Sequence, residues 1–216
     1  MQLSMTKKQA YEIIGGLTST SKMPCKSYSL PTIACNTGSK MAKIKGSICS
    51  SCYADKGFYK LYAKTIEPTQ VARLFSIDDP MWIDAMVVAI GEDKYIRWHD
   101  SGDLMSVEHL EKIAQVCERT PNTRHWLPTR EYGIVGAFTC SNKIPKNLVI
   151  RLSAMFPDKK VIVPASLQGE KQIATSNVHT SNKVFGEACK APSQKGECRD
   201  CRQCWNPKKS ISYLMH

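Results

Sequence analysis

The sequence has no run of 18 apolar residues; its best apolar stretch, Trp82–Ile90, is broken by Asp84, and a membrane-spanning helix is excluded. Met1–Ala10 contains no apolar signal-peptide core, so export is not expected. No repeat period or low-complexity tract stands out. Neither G-x-x-x-x-G-K-[ST] nor G-x-G-x-x-G occurs, which removes the common phosphate-cradling loops. There is no nucleophile-elbow sequence to turn the scattered Ser, His and Asp residues into a hydrolase reading. The combined H-x-E and P-C-x-x-C signature of a zinc deaminase is also missing. Acidic residues are scarce: 19 face 30 Lys and Arg, for a net charge of +11. That balance favours anionic partners, nucleic acid among them, or a solvated basic face.

What the sequence does hold is apolar material for a core, 42% of 216 residues, which rules out a disordered chain. It also holds ten cysteines. Without an export signal, thiols in such number read as metal-binding or redox groups rather than disulfides. Four lie in the tail as Cys189-x8-Cys198-x2-Cys201-x2-Cys204. A tetrahedral zinc site usually draws on two separated ligand pairs. Three thiols spaced by two residues with a fourth nearby fit an iron–sulfur cube, which offers each cysteine its own iron. Lys190, Lys195, Arg199 and Arg202 surround them and favour thiolate. A second set is Cys35-x13-Cys49-x2-Cys52. Three ligands on a four-iron cluster leave one iron open. Cys25 reads as a fourth ligand or as a small buried hydrophobe. Cys117, in register with Val107, Leu110, Ile113 and Ala114, reads as core, and Cys140 as structural.

The pattern along the chain predicts an α/β fold. Residues 1–60 read as a loop region, 61–166 as a βα core and 167–216 as an irregular cysteine-rich segment, together one domain. Helices are predicted over 67–91, with Asp79-Pro80 as a start signal, and over 107–119, capped by Ser106. A weaker helix is predicted at 132–140. Strands are predicted at 94–98, 124–127, 147–152 and 160–163. Strands alternating with helices imply an incomplete (β/α) barrel or an open parallel sheet, since a full barrel needs about 250 residues.

Each predicted strand ends in polar residues, where α/β folds place their sites. Arg97, His99, Asp100 and Asp103 follow the first; His125, Arg130 and Glu131 the second; Arg151 and Ser153 the third. Converging tips would make Arg97, Arg130 and Arg151 anion clamps and Asp100 or Glu131 a general base. On this reading Asp100, Arg97, Glu131 and Arg130 are catalytic candidates, and His99, Arg151 and Ser153 cofactor-binding ones. The alternative is a buried ion-pair network. His179 reads as structural.

The segments SLPTIACNTGSK, GSICSSCYADKG, YIRWHDSGDL, HWLPTREY, NLVIRLSA and CRDCRQCWNP resemble, in order, the phage "gene product 88" family, from about Met23 to His216. The resemblance matches Cys35, Cys49, Cys52, Cys189, Cys198, Cys201 and Cys204 but not Cys25, and it implies a phage protein made in a bacterial cytoplasm. A looser likeness is to radical S-adenosylmethionine enzymes, which combine a partial barrel with an N-terminal three-cysteine cluster; their C-x3-C-x2-C is absent here. The expectation is a protein holding one or two [4Fe-4S] clusters, acting with an unknown redox partner or substrate. If it is an enzyme, it is an iron–sulfur oxidoreductase or a radical-type enzyme. The alternative is a zinc-stabilised nucleic-acid-binding module using Trp98, Trp126 and Trp205 for stacking.

Overall fold

A computed structural model describes residues 5–180 and 183–215. The strands are β1 (Thr18–Ser19), β2 (Lys26–Tyr28), β3 (Tyr95–Trp98), β4 (Arg124–Thr129), β5 (Leu148–Ser153), β6 (Ile173–His179), β7 (Glu187–Ala188) and β8 (Ile211–Leu214). They form one open sheet in the order β1-β2-β3-β4-β5-β6-β8-β7, parallel throughout except for the β1–β2 pair. Of the two architectures expected, the open sheet is the one observed. The helices are α1 (Lys7–Ile14), α2 (Asn36–Ala42), α3 (Gly57–Leu61), α4 (Ala63–Ser76), α5 (Trp82–Ile90), α6 (Val107–Arg119) and α7 (Tyr132–Ser141). None of the described helices is long and apolar enough to cross a membrane.

The two faces of the sheet differ. Side chains alternate along each strand, and one set, Tyr28, Ile96, Trp98, Leu127, Leu148, Ile150 and Leu152, is fully buried in a single core. The apolar stripes of α1, α5, α6 and α7 complete that core with Ile14, Trp82, Met86, Leu110, Ile113 and Phe138. Cys117 is buried in it, as the helical spacing predicts, and the Ser106 hydroxyl caps α6 by accepting from the His109 amide at 3.1 Å. On the opposite set, Arg97, Trp126, Val149 and Arg151, the tail packs: Trp205 lies 5.3 Å from the Trp126 ring.

Three expectations need correcting. Residues 160–163 form no strand: Pro157 and Pro164 flank them, Val161 is buried and Ile162 is 86% exposed, so the segment anchors by one residue and never joins the sheet. The strand after β5 is β6, from the segment expected to be irregular, which also yields β7 and β8. The first sixty residues, expected as loops, contribute α1, the edge pair β1–β2 and α2. α1 is fixed by a capping box between Thr6 and Gln9. Asp79 acts a little before its helix, accepting from the Met81 amide at 2.7 Å ahead of α5.

The loop after β3 is a tight junction. The Leu30 amide donates to the Ser101 carbonyl at 2.8 Å, and the Ser101 hydroxyl returns a bond to the Leu30 carbonyl at 3.0 Å. Gly102 has φ +79°, and a Cβ there would lie 2.8 Å from the Leu30 carbonyl oxygen. Gly102→Ala is therefore expected to cost about 2–4 kcal/mol, read as a lower urea midpoint; wild-type stability in that variant would refute this account of the turn.

Several imidazoles are buried and neutral. Burial holds His125 down to about 3 and His99 to about 4, and burial with the neighbouring His99 and Lys112 holds His109 well below its usual value. Unfolding returns each to about 6.5, so their contribution is complete above pH 6.5 and lost as pH falls toward 4. Asp103, which burial raises to about 6, acts oppositely between its usual value and pH 6, but it is one group against three. The urea midpoint is expected to drop on acidification from pH 7 to pH 4.5; a flat profile would show that these imidazoles are not buried neutral.

Candidate metal centre

All ten cysteines are free thiols. The first group forms where α2 meets the Cys49–Cys52 turn. Cys35 is the residue before α2, and Gly38 lies in that helix's first turn. A Cβ at Gly38 would sit 2.9 Å from the Cys35 Cβ, 3.5 Å from its Sγ and 3.9 Å from the Cys49 Sγ. Glycine at 38 thus leaves open the space that two thiols border. The turn is pinned on both sides: the Ile48 amide donates to the Met155 carbonyl at 2.9 Å, and the Ser47 hydroxyl donates to the Met41 carbonyl at 2.6 Å. The Cys52 amide closes on the Cys49 carbonyl at 3.2 Å, which brings the C-x2-C pair around one bend.

Polar residues from two strand ends surround this group. The Asp103 carboxylate accepts from the Thr129 hydroxyl at 2.5 Å and the Arg130 amide at 2.9 Å. Glu131 accepts from the Thr37 amide at 2.6 Å and hydroxyl at 2.7 Å, tying β4 to α2. Burial pushes the Cys35 thiol up to about 12, and the nearby Asp103, Cys52 and Cys49 add to the rise. Cys49 and Cys52 are also raised, chiefly by burial; Arg130 opposes both, and the Ala54 and Asp55 amides oppose the rise at Cys52.

The second group lies on the sheet's tail-covered face. The Cys198 amide donates to the Lys22 carbonyl and the Cys201 amide to the Cys198 carbonyl, both at 2.9 Å, while the Cys189 amide donates to the Ser212 carbonyl at 2.8 Å. The Cys204 thiol and Tyr213 hydroxyl are 3.2 Å apart. Burial raises Cys189, Cys198 and Cys204, the last to about 11, with Cys201 adding to the rise at Cys189 and Cys198. Cys25 belongs here rather than with Cys35: burial takes it to about 12, Arg97 and Arg202 pull it back, and Cys198 adds to the rise. Its neighbour was not readable from spacing, because 173 positions of sequence separate Cys25 from Cys198. A cavity of about 440 Å³ opens beside Cys25, with Lys26, Lys94, Tyr95 and Arg202 on its wall.

The strand-tip residues do not converge on one surface. Asp103, Arg130 and Glu131 border the first thiol group. Arg97 and Arg151 lie with the second. His125 starts β4 rather than ending it, accepting from the Trp98 indole at 3.2 Å and meeting the Thr120 hydroxyl at 2.9 Å. His99 turns toward α6, its ring centroid 5.3 Å from that of His109, with Nδ1 3.2 Å from the Tyr28 carbonyl. Asp100 accepts from the Tyr59 hydroxyl at 2.8 Å, and its backbone carbonyl accepts from the Tyr53 hydroxyl. Ser153 is buried, 3.2 Å from the Ser176 hydroxyl. His179 meets the Ser212 hydroxyl at 2.7 Å, as a structural residue would. Cys140 is exposed, its thiol on the Gly136 carbonyl at 3.3 Å.

Arg151 is fully buried, and backbone carbonyls take up its guanidinium. Nη1 donates to Thr175 and Lys209 at 2.8 and 2.6 Å, and Nη2 to Gln203, Cys204 and Asn206 at 3.3, 3.2 and 3.1 Å. It is a splint for the tail rather than an open anion clamp.

The sequence model of one protein family, described as Gene product 88, matches residues 3–207. The chain belongs to the Gene product 88 family. No curated protein and no solved structure matches it. The family match spans both thiol groups and stops before β8.

The donor chemistry suits a soft metal. Thiol sulfur is the ligand type that selects zinc or iron–sulfur clusters, and buried thiols held protonated at neutral pH ionise when a metal cation replaces the proton. Among the described residues no three His, Cys, Asp or Glu side chains are grouped closely enough to share a single metal ion. The residues that would hold a cluster are Cys35, Cys49 and Cys52 in one group and Cys189, Cys198, Cys201 and Cys204 in the other. Replacing Arg151 with Met is expected to cost about 3–5 kcal/mol, because several buried carbonyls lose their donor. It should also speed alkylation of Cys204 in the metal-free protein. Unchanged stability and unchanged Cys204 labelling would remove the splint role.

Proposed function

We propose that this protein binds at least one [4Fe-4S] cluster through cysteine thiolates and works in redox or cluster-dependent chemistry. The observation that carries the reading is the placement of the thiols in two half-buried groups, the tail group joined by the sequence-distant Cys25, each beside arginine: Arg130 at Cys49 and Cys52, and Arg97 at Cys198 and Cys204. Positive charge offsets the negative charge of a thiolate-ligated cluster, and backbone amides aimed at sulfur do the same. When bound, such a cluster supplies one-electron transfer or an open iron for a ligand. Cys35, Cys49 and Cys52 would leave one iron of a cube without a cysteine, beside Asp103 and Glu131. The tail group has enough thiols to close a cube.

The zinc-stabilised nucleic-acid reading loses its stacking residues: Trp98, Trp126 and Trp205 are all buried. The C-x3-C-x2-C of radical S-adenosylmethionine enzymes does not occur in the sequence, which leaves that reading without its cluster motif.

Protein purified without oxygen is expected to be coloured, to contain iron and sulfide in equal amounts, and to hold about four irons per cluster. Replacing Cys49 and Cys52 with Ser, or Cys198 and Cys201 with Ser, should each remove one share of iron if there are two clusters. Colourless protein containing zinc alone would overturn the proposal.

A further inference from the structure

Arg97 is a cation with no ion-pair partner among the described residues. It is half-buried on β3, on the tail-covered face, with its guanidinium carbon 4.7 Å from the Trp126 ring centroid. Nη1 donates to the Met23 sulfur at 3.2 Å and Nη2 to the Tyr53 hydroxyl at 3.4 Å, both weak acceptors. The Nε is buried and has no hydrogen-bond partner. Among the described residues no carboxylate oxygen lies within ion-pair distance of this guanidinium; Asp100, which contributes to its field from farther off, accepts from Tyr59 with one oxygen and keeps the other buried and unpaired. A partly buried charge whose buried donor has no acceptor is destabilising unless an anion completes it.

The surroundings say what the anion is. Met23, which Arg97 touches, lies between Lys22, bonded to the Cys198 amide, and Cys25. Trp126, under the guanidinium, packs on Trp205, the residue after Cys204. Tyr53, on the other side, directly follows Cys52. Arg97 therefore faces the tail thiols, with its second arm reaching the first group.

We propose that the missing counter-ion of Arg97 is the anionic thiolate-ligated centre of the tail group, so that Arg97 is a positioning residue that stabilises this centre and sets its reduction potential. This rests on the cluster reading above and deepens it. A guanidinium beside a cluster favours the reduced state, which carries one more negative charge, and an N–H aimed at its sulfurs acts in the same direction.

The test is Arg97→Met in the full chain, measured with and without the centre. In chelator-treated, metal-free protein the variant is expected to melt at or above wild type, because an unpaired charge has been removed. After anaerobic reconstitution it should lose iron to a chelator roughly ten-fold faster than wild type, or show a lower midpoint potential by electron paramagnetic resonance titration. Arg97→Lys, which keeps the charge, should restore iron retention in part. A metal-free variant that melts well below wild type makes Arg97 an ordinary structural residue and overturns the proposal. So does a loaded variant with both iron retention and potential unchanged. Wild-type protein that takes up no iron is a different result: it removes the cluster reading itself.

Discussion

A parallel sheet is stable only when both of its faces are covered, because its strands are apolar or sterically committed on both sides. In this protein the helices cover one face. On the other, the cover is the tail, a segment with almost no helix of its own, laid over β3, β4 and β5 through Trp205 and held by Arg151. Everything at the thiol groups follows from that arrangement. The tail cysteines are half-buried because they are part of the lid, and they meet Cys25 because the lid reaches the edge strands, where Lys22 accepts from the Cys198 amide.

The division of labour between the faces also explains the polar interior. On the helix side, packing is made of Trp, Leu and Ile; His125 is satisfied between Trp98 and Thr120, while His99 and His109 each keep a buried Nε2 without a partner. On the lid side, the chain places arginines. Arg151 satisfies carbonyls that an irregular segment cannot pair with itself, a direct answer to the requirement that buried backbone acceptors find donors. Arg97, on β3 with β4 between it and Arg151, has no such set of acceptors; both arginines keep a buried Nε unpaired. The two arginines thus differ in what their terminal nitrogens hold.

Much of the helix-facing half was legible in the sequence. β3, β4 and β5 follow from short β-branched and aromatic runs, and α6 from its apolar spacing and the Ser106 cap, because each is determined within a few residues. The edge and lid elements were not. Residues 160–163 have the composition of a strand but lie between prolines and find no partner. β6, with the sequence IATSNVH, looks polar because it borders a polar lid. The cysteine sets were legible as sets, since C-x2-C spacing is local. That Cys25 joins the tail, that Gly38 opens space between Cys35 and Cys49, and that Arg151 binds carbonyls all depend on contacts between segments far apart, which no local pattern encodes.

β8 lies between β6 and β7, although β7 precedes it in the chain. β7 therefore has nothing to pair with until β8 has been synthesised, and Cys189, whose amide is held by Ser212, stays unplaced for the same interval. On the ribosome, the helix-covered half of the sheet can assemble early, while the tail thiols remain chemically accessible until the sheet is closed around β8. Assembly of that group is thereby ordered in time, with its thiols brought together last.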